Sequence, residues 1–225
     1  MKKKAGATAS RAAKRRNKAA ASGKARLGRS VGASRRPAAK DDAKAEIRRL
    51  KSRLAKALAR IEQLQAAADT DFLLGIANRR GFERELARAI SYIHRYHASG
   101  ALIVLDVDRL KPINDKFGHA AGDEVLKSIV AVLSRQIRSS DVIGRLGGDE
   151  FALLLWNLSE TDARAKAAAL ETDIDRLSFA FAGSAVATGV SAGVAILGTH
   201  SETAKSLADA DCAMYVRKAQ RRHEI

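Results

Sequence analysis

Residues 142–146 and 151–156 are two short apolar runs separated by Gly147, Gly148, Asp149 and Glu150. A glycine pair between β-branched, aromatic and aliphatic runs is a hairpin signal, so the chain must turn back on itself here. Residues 101–105, Ala-Leu-Ile-Val-Leu, form a second uninterrupted apolar run, which suits a strand covered on both faces.

Helical spacing fills the intervals. After Asn78-Arg79-Arg80-Gly81, the residues Phe82, Leu86, Ile90 and Ile93 share one face of a helix reaching about residue 97. Gly122-Asp123 opens another, with Leu126, Ile129, Val130, Leu133 and Ile137 inward. Ser159 suits the N-cap of a third helix, through about residue 177. Residues 186–197 read as one or two strands, and a last helix from about residue 204 turns Leu207, Ala210 and Met214 inward. Strands alternate with helices around one antiparallel hairpin, which is an α/β pattern.

The N-terminal part is of another kind. Residues 1–40 hold seven Lys and seven Arg with no acid, so they carry +14 of the net +16 and leave +2 for the rest. With no aromatics, this segment has little to bury against its ordering entropy, and we expect a disordered basic tail. Its partner is a nucleic acid or another acidic surface, or it is simply a solvated tail. Residues 41–69 are expected to form an amphipathic helix. There Ile47, Leu50, Leu54, Ala57, Ile61, Leu64 and Ala68 follow alternating steps of three and four, a seam for a dimerising coiled coil over residues 47–68 or for packing on the chain's own domain. Residues 70–225 are the expected globular domain, and 46% hydrophobic content suffices for its core. Cys212 is the single cysteine, so no internal disulfide forms, as befits a reducing compartment. The charged N-terminus lacks an apolar stretch like that of a secretory signal, and no apolar run is long enough to span a membrane. A cytoplasmic location is the expectation.

Two acidic pairs stand at strand ends: Asp106 and Asp108 after the apolar run at residues 101–105, and Asp149 and Glu150 at the hairpin tip. Carboxylates near a low-dielectric core need a cation or a partner, and hard oxygen ligands of this kind suit Mg²⁺. The alternative is a pair of solvated turns, since Asp and Gly are ordinary turn residues.

The hairpin, read as Arg145-Leu-Gly-Gly-Asp-Glu-Phe-Ala-Leu-Leu-Leu155, resembles that of the GGDEF diguanylate cyclases, and Gly147–Phe151 carries their signature pentapeptide. The stretch from Leu105 through Asp-Val-Asp-Arg-Leu-Lys-Pro-Ile-Asn114 to Gly122-Asp123-Glu124 is similar to a second block of the family at the family's spacing. Weaker likenesses lie at Asn78-Arg79-Arg80, at Val190-Ser-Ala-Gly-Val194 and at Ala210-Asp-Cys-Ala-Met-Tyr215.

The resemblance implies a palm-like α+β nucleotide-cyclase fold, with a central, mostly five-stranded sheet carrying the hairpin, flanked by helices and preceded by the long N-terminal helix. It implies that residues 70–225 are a catalytic domain condensing two GTP into cyclic di-GMP and two pyrophosphates across a homodimer. Asp106, the Val107 carbonyl, Asp149 and Glu150 would hold two Mg²⁺ (or Mn²⁺) ions, with Asp149 and Glu150 as catalytic acids. Asp149 or a bound water would be the general base. Asn114 and Asp123 would read guanine. Gly147 and Gly148 would let the nucleotide approach through φ > 0 and a missing Cβ. Arg109 and Leu110 would offer backbone N–H groups, and Lys111, Lys218 and Arg222 would offer cations, to the triphosphate; for Lys218 and Arg222 the alternative is charge favoured by a helix C-terminus. Arg138 and Asp141 form an RxxD motif where the family binds its product as an inhibitor, the alternative being a surface ion pair.

Three departures stand out. Leu74 replaces the usual Thr in the opening block Asp71-Phe-Leu-Leu-Gly-Ile-Ala-Asn-Arg79, losing a hydroxyl at the junction with the helix. Arg109 and Leu110 stand where aromatic or apolar residues are common. Arg221 and His223 replace Gly and Asn, and a left-handed backbone at Arg221 would be strained. With no room upstream for a sensory domain, control is expected through the tail, the seam or the product site. The other readings are a non-catalytic receptor for GTP or cyclic di-GMP, and a nucleic-acid-associated protein led by its tail.

Overall fold

The structure, a computed structural model, describes residues 36–224, without the side chains of residues 36–40, 66–67 and 222–224. The expected tail lies outside the described residues except at its end, which helix α1 (Arg36–Ala68) absorbs. Pro37 explains the earlier start, because its fixed φ suits a first helical turn. Contacts divide the chain into Met1–Ser52 and Arg53–Ile225, a boundary inside α1 and earlier than the expected one at residue 70. Along α1, the seam residues Leu54, Ile61 and Leu64 remain between 49% and 60% exposed, so this stretch of the seam is uncovered in the single chain.

The second unit continues with β1 (Ala77–Asn78), α2 (Arg79–Tyr96), β2 (Gly100–Asp108), α3 (Leu110–Phe117), α4 (His119–Gln136), β3 (Val142–Arg145) and β4 (Glu150–Trp156). It ends with α5 (Glu160–Asp175), β5 (Ser178–Phe181), β6 (Ser184–Ala187), β7 (Gly189–Leu197) and α6 (Thr203–Glu224). Five strands form one sheet in the order β1-β3-β4-β2-β7, antiparallel except for β1 beside β3, and β5 and β6 form a separate two-stranded sheet. This is the mixed, helix-flanked architecture that the sequence leads one to expect.

β2 is buried from Gly100 to Val107, as a strand covered on both faces must be. Its alternate side chains feed two cores. Ile103, Leu105 and Val107 meet Leu126, Ile129 and Leu133 of α4 with Leu170 and Ile174 of α5. Leu102 and Val104 join Phe82, Leu86, Ile90 and Ile93 of α2, together with Ala210 and Met214 of α6. The sheet is thus sandwiched, and the C-terminal end of β2 emerges at its edge carrying Asp106 and Asp108. Asn78 caps α2 through the Gly81 N–H at 3.0 Å and donates to the Ala68 carbonyl at 2.9 Å, tying the end of α1 to the domain.

Three local outcomes differ from expectation. α4 starts at His119 rather than at Gly122, and α3 precedes it. β5 appears ahead of the residue 186–197 region. Arg221 lies within α6 with no positive φ, so the strain expected there is absent because the helix simply continues.

Candidate active site

Register builds the site. Asp106 on β2 faces Glu150 on β4, and the Val107 N–H donates to the Asp149 carbonyl at 2.9 Å, so the hairpin tip rests on the end of β2. The tip is longer than a Gly-Gly turn: the Leu146 N–H closes on the Glu150 carbonyl at 2.8 Å. Neither Gly147 nor Gly148 takes a positive φ, contrary to expectation, because this wider loop turns without one. A Cβ on Gly147 would stand 2.7 Å from Glu150 Oε2, so the flexible Glu150 carboxylate would have to shift, whereas a Cβ on Gly148 would point into open space.

Arginines hold the loop. Arg145 donates from Nε to the Gly147 carbonyl at 3.0 Å and from Nη2 to the Gly148 carbonyl at 2.7 Å, while its Nη1 reaches Asp71 Oδ2 at 3.2 Å. Arg79 donates to the Leu146 carbonyl at 2.7 Å and lies 3.7 Å from Glu150 Oε2. Asp71 Oδ1 also accepts from the Leu73 and Leu74 amides at 3.0 and 2.9 Å, so the junction turn survives the loss of a Thr hydroxyl at Leu74. The sequence names these residues only as parts of motifs; the Arg79 and Asp71 contacts that anchor the loop join positions 67 and 74 residues apart.

The carboxylates are under electrostatic load. Burial pushes the Asp106 carboxyl above its ordinary range; Lys218 opposes the shift, and Asp149 and Asp108 add to it. Burial likewise raises Glu150, against Arg79 and with help from Asp149, Asp211 and Asp106. The Lys218 ammonium ion-pairs directly with Asp106. Among the described residues, no three acid, imidazole or thiol groups converge enough to hold a metal by themselves. That fits Mg²⁺, which uses one or two carboxylates and takes its other ligands from water and phosphate. The desolvated Asp106 and Glu150 carboxylates, each further loaded by the charge of Asp149, form with it a hard-oxygen set that a divalent cation would relieve.

Two adjoining clefts share Leu110, Lys111 and Asp149. One, of about 610 Å³, brings Val107, Arg109, Lys218 and Arg221 to Asp149. The other, of about 420 Å³, brings Asn114, Asp123 and Gly148 to it. Arg109 caps α3 with φ 64° and no side-chain bond, leaving the first amides of α3 without intrahelical partners. Asn114 Oδ1 is buried with no hydrogen-bond partner. A buried orphan acceptor costs about 1–3 kcal/mol, and a ligand N–H in the cleft would satisfy it. The Arg222 side chain lies outside the described residues. Arg221, which the sequence did not assign to the site, lines the larger cleft together with Arg109.

Arg138 and Asp141 are elsewhere. Asp141 is bonded to Trp156, at the opposite end of β4 from Glu150, about 20 Å away at ~3.3 Å per residue. They form no ion pair. Asp141 instead accepts from the Arg138 amide at 2.9 Å and from the Trp156 amide at 3.2 Å, which leaves the exposed Arg138 guanidinium without a partner among the described residues.

The family model described as "Diguanylate cyclase, GGDEF domain" matches residues 68–224. Diguanylate cyclase TpbB of Pseudomonas aeruginosa is 44% identical over 161 residues, covering 69% of this chain and 36% of that protein. Probable diguanylate cyclase DgcE of Escherichia coli is 36% identical over 159 residues, covering 70% of this chain and 14% of its own length. The chain therefore spans about a third or less of these relatives. The coiled coil and GGDEF domain of DgcB from Caulobacter crescentus, solved in complex with c-di-GMP, superposes with a TM-score of 0.66 at 27% identity, over 81% of this chain and 94% of that one. No helix among the described residues is long and apolar enough to cross a membrane.

Proposed function

The chain belongs to the GGDEF family, and from that premise we propose that it is a diguanylate cyclase, joining two GTP molecules into cyclic di-GMP with release of two pyrophosphates. The observation that carries the proposal is the pair of adjoining clefts that meet at Asp149: the smaller is lined by Asn114, whose Oδ1 is orphaned, and the larger by Lys218, which is paired with Asp106. Asn114 and Asp123 meet the donor edge of guanine. An amide oxygen and a carboxylate accept from its N–H groups, and a base lacking those donors leaves both unsatisfied. Lys111, Lys218 and the amides of Arg109 and Leu110 neutralise and orient the triphosphate.

Asp106, the Val107 carbonyl, Asp149 and Glu150 would hold two divalent cations, Mg²⁺ or Mn²⁺, which when bound lower the pKa of the 3′-hydroxyl and offset charge on the α-phosphate and departing pyrophosphate. Lys218 must then leave Asp106, and the triphosphate offers it a new anion. Each attack forms one bond from a 3′-oxygen to an α-phosphorus, breaks the α–β bridge, and releases pyrophosphate and a proton. Each domain holds one GTP, so two must face each other. The uncovered seam on α1 supplies a means of pairing, and a homodimer through residues 47–68 is part of the proposal.

Product inhibition at Arg138 and Asp141 completes it. The free Arg138 guanidinium is a bidentate donor for a phosphate or a guanine edge, and Asp141 holds the turn that presents it. The test is GTP turnover with Mg²⁺ by wild type and by Asp149→Ala: pyrophosphate release lost in the variant with the fold retained supports the reading, and equal release by both contradicts it.

A further inference from the structure

Arg221 stands one position before the arginine that the family motif aims at phosphate, and only 13% of its side chain is exposed. Its Nη2 lies 2.7 Å from Asp175 Oδ1, its Nε 3.4 Å from Asp108 Oδ2 and its Nη1 3.7 Å from Glu171 Oε2. Three carboxylates on two elements thus lie within ion-pair reach of Arg221, with Glu171 shared with Arg217 at 3.0 Å. Such a cluster is weak evidence for stability, because desolvation offsets most of the attraction. What it holds in place is the better question.

It holds Asp108. That residue also accepts from Ser191 Oγ at 3.2 Å, and its carbonyl accepts from Thr188 Oγ1 at 3.0 Å. The next residue, Arg109, has φ 64°, a left-handed conformation that persists in a non-glycine residue only when its surroundings impose it. That turn opens α3 without a side-chain cap, and the cleft containing Lys218 and Asp149 begins there.

We propose that Arg221 is a positioning residue for the triphosphate: by clamping Asp108 against α5 and α6, it keeps the Arg109–Leu110 turn in the shape that aims its amides at phosphate oxygens. The inference rests on the cyclase reading of the same cleft. Arg221 is not itself a phosphate contact, since the three carboxylates already neutralise it. The clamp also keeps the Asp108 carboxylate turned toward Arg221 and Ser191, where it does not repel the nucleotide.

The test uses the full chain with Mg²⁺ and two probes, GMP and a GTP analogue with a methylene bridge between the α- and β-phosphates. Arg221→Met is expected to weaken the analogue about tenfold while GMP stays within about twofold, and Arg221→Lys should recover part of the loss. In turnover, KM for GTP rises while kcat changes little. Equal weakening of both probes marks a merely structural role and overturns the proposal, as does unchanged binding of both. If circular dichroism shows Arg221→Met unfolded, Thr188→Val, which removes the bond to the Asp108 carbonyl, is read by the same criteria. Wild type failing to bind the analogue contradicts the cyclase reading itself, whereas wild-type binding that the variants leave unaltered overturns only the role of Arg221.

Discussion

Gly122→Ala should separate nucleotide recognition from folding. A Cβ at residue 122 would stand 2.0 Å from Asn114 Oδ1 and 2.9 Å from its Cγ, and it meets nothing else so closely. The obstructed group is the tip of a side chain, so the fold can yield by rotating the amide out of place. Losing a glycine near the start of α4 offsets part of that cost, as Gly in a helix is worth up to about 1 kcal/mol less than Ala. The melting temperature should therefore stay near that of wild type. Recognition cannot yield so cheaply, because the displaced oxygen is the orphan acceptor facing the smaller cleft. Removing its bond to guanine costs about 1–3 kcal/mol, or about 5- to 150-fold in GTP affinity. Titration with the methylene-bridged analogue measures the affinity, and thermal unfolding measures the fold. A variant that binds within about twofold of wild type, with its fold intact, would refute the placement of guanine against Asn114.

Three further outcomes follow from the same geometry. Asp106 has a raised pKa in the fold, so its stabilising contribution is full below the unfolded pKa and is lost as pH rises through the native one. In metal-free buffer, Asp106→Asn should melt above wild type at neutral pH, since Lys218 can turn to water, and the gap should close on acidification; a pH-independent gap contradicts this. Arg138→Ala should raise late product yield in GTP time courses without altering the initial rate, and an identical late phase counts against product inhibition there. Leu54→Asp with Ile61→Asp should make activity fall steeply on dilution and shift sedimentation towards monomer; unchanged sedimentation removes α1 from pairing.

The strands and the long helices were legible in the sequence because burial imposes a period on them: residues 101–105 read as covered on both faces, and β2 is. α3 was not legible, because Pro112, Asn114 and Asp115 are poor helix formers and eight residues carry little pattern. Pro112 is tolerated there because it sits in the first turn. The site acids were legible as residues at strand ends, but their electrostatics were not. The pairing of Lys218 with Asp106 joins positions 112 apart, and the Arg221 cluster joins α6 to two other elements. Spacing along a chain says which side chains share a face, and only packing says which of them meet. The tight approach of Gly122 to Asn114 is likewise a product of how α3 and α4 cross.

The most direct test of the account is to strip bound nucleotide from the purified protein, supply GTP and Mg²⁺, and identify the products. Cyclic di-GMP and pyrophosphate should appear in the one-to-two ratio that ring closure requires, with neither formed by Asp149→Ala. Wild-type protein that binds GTP yet yields no cyclic di-GMP, at concentrations where it is paired, would contradict it.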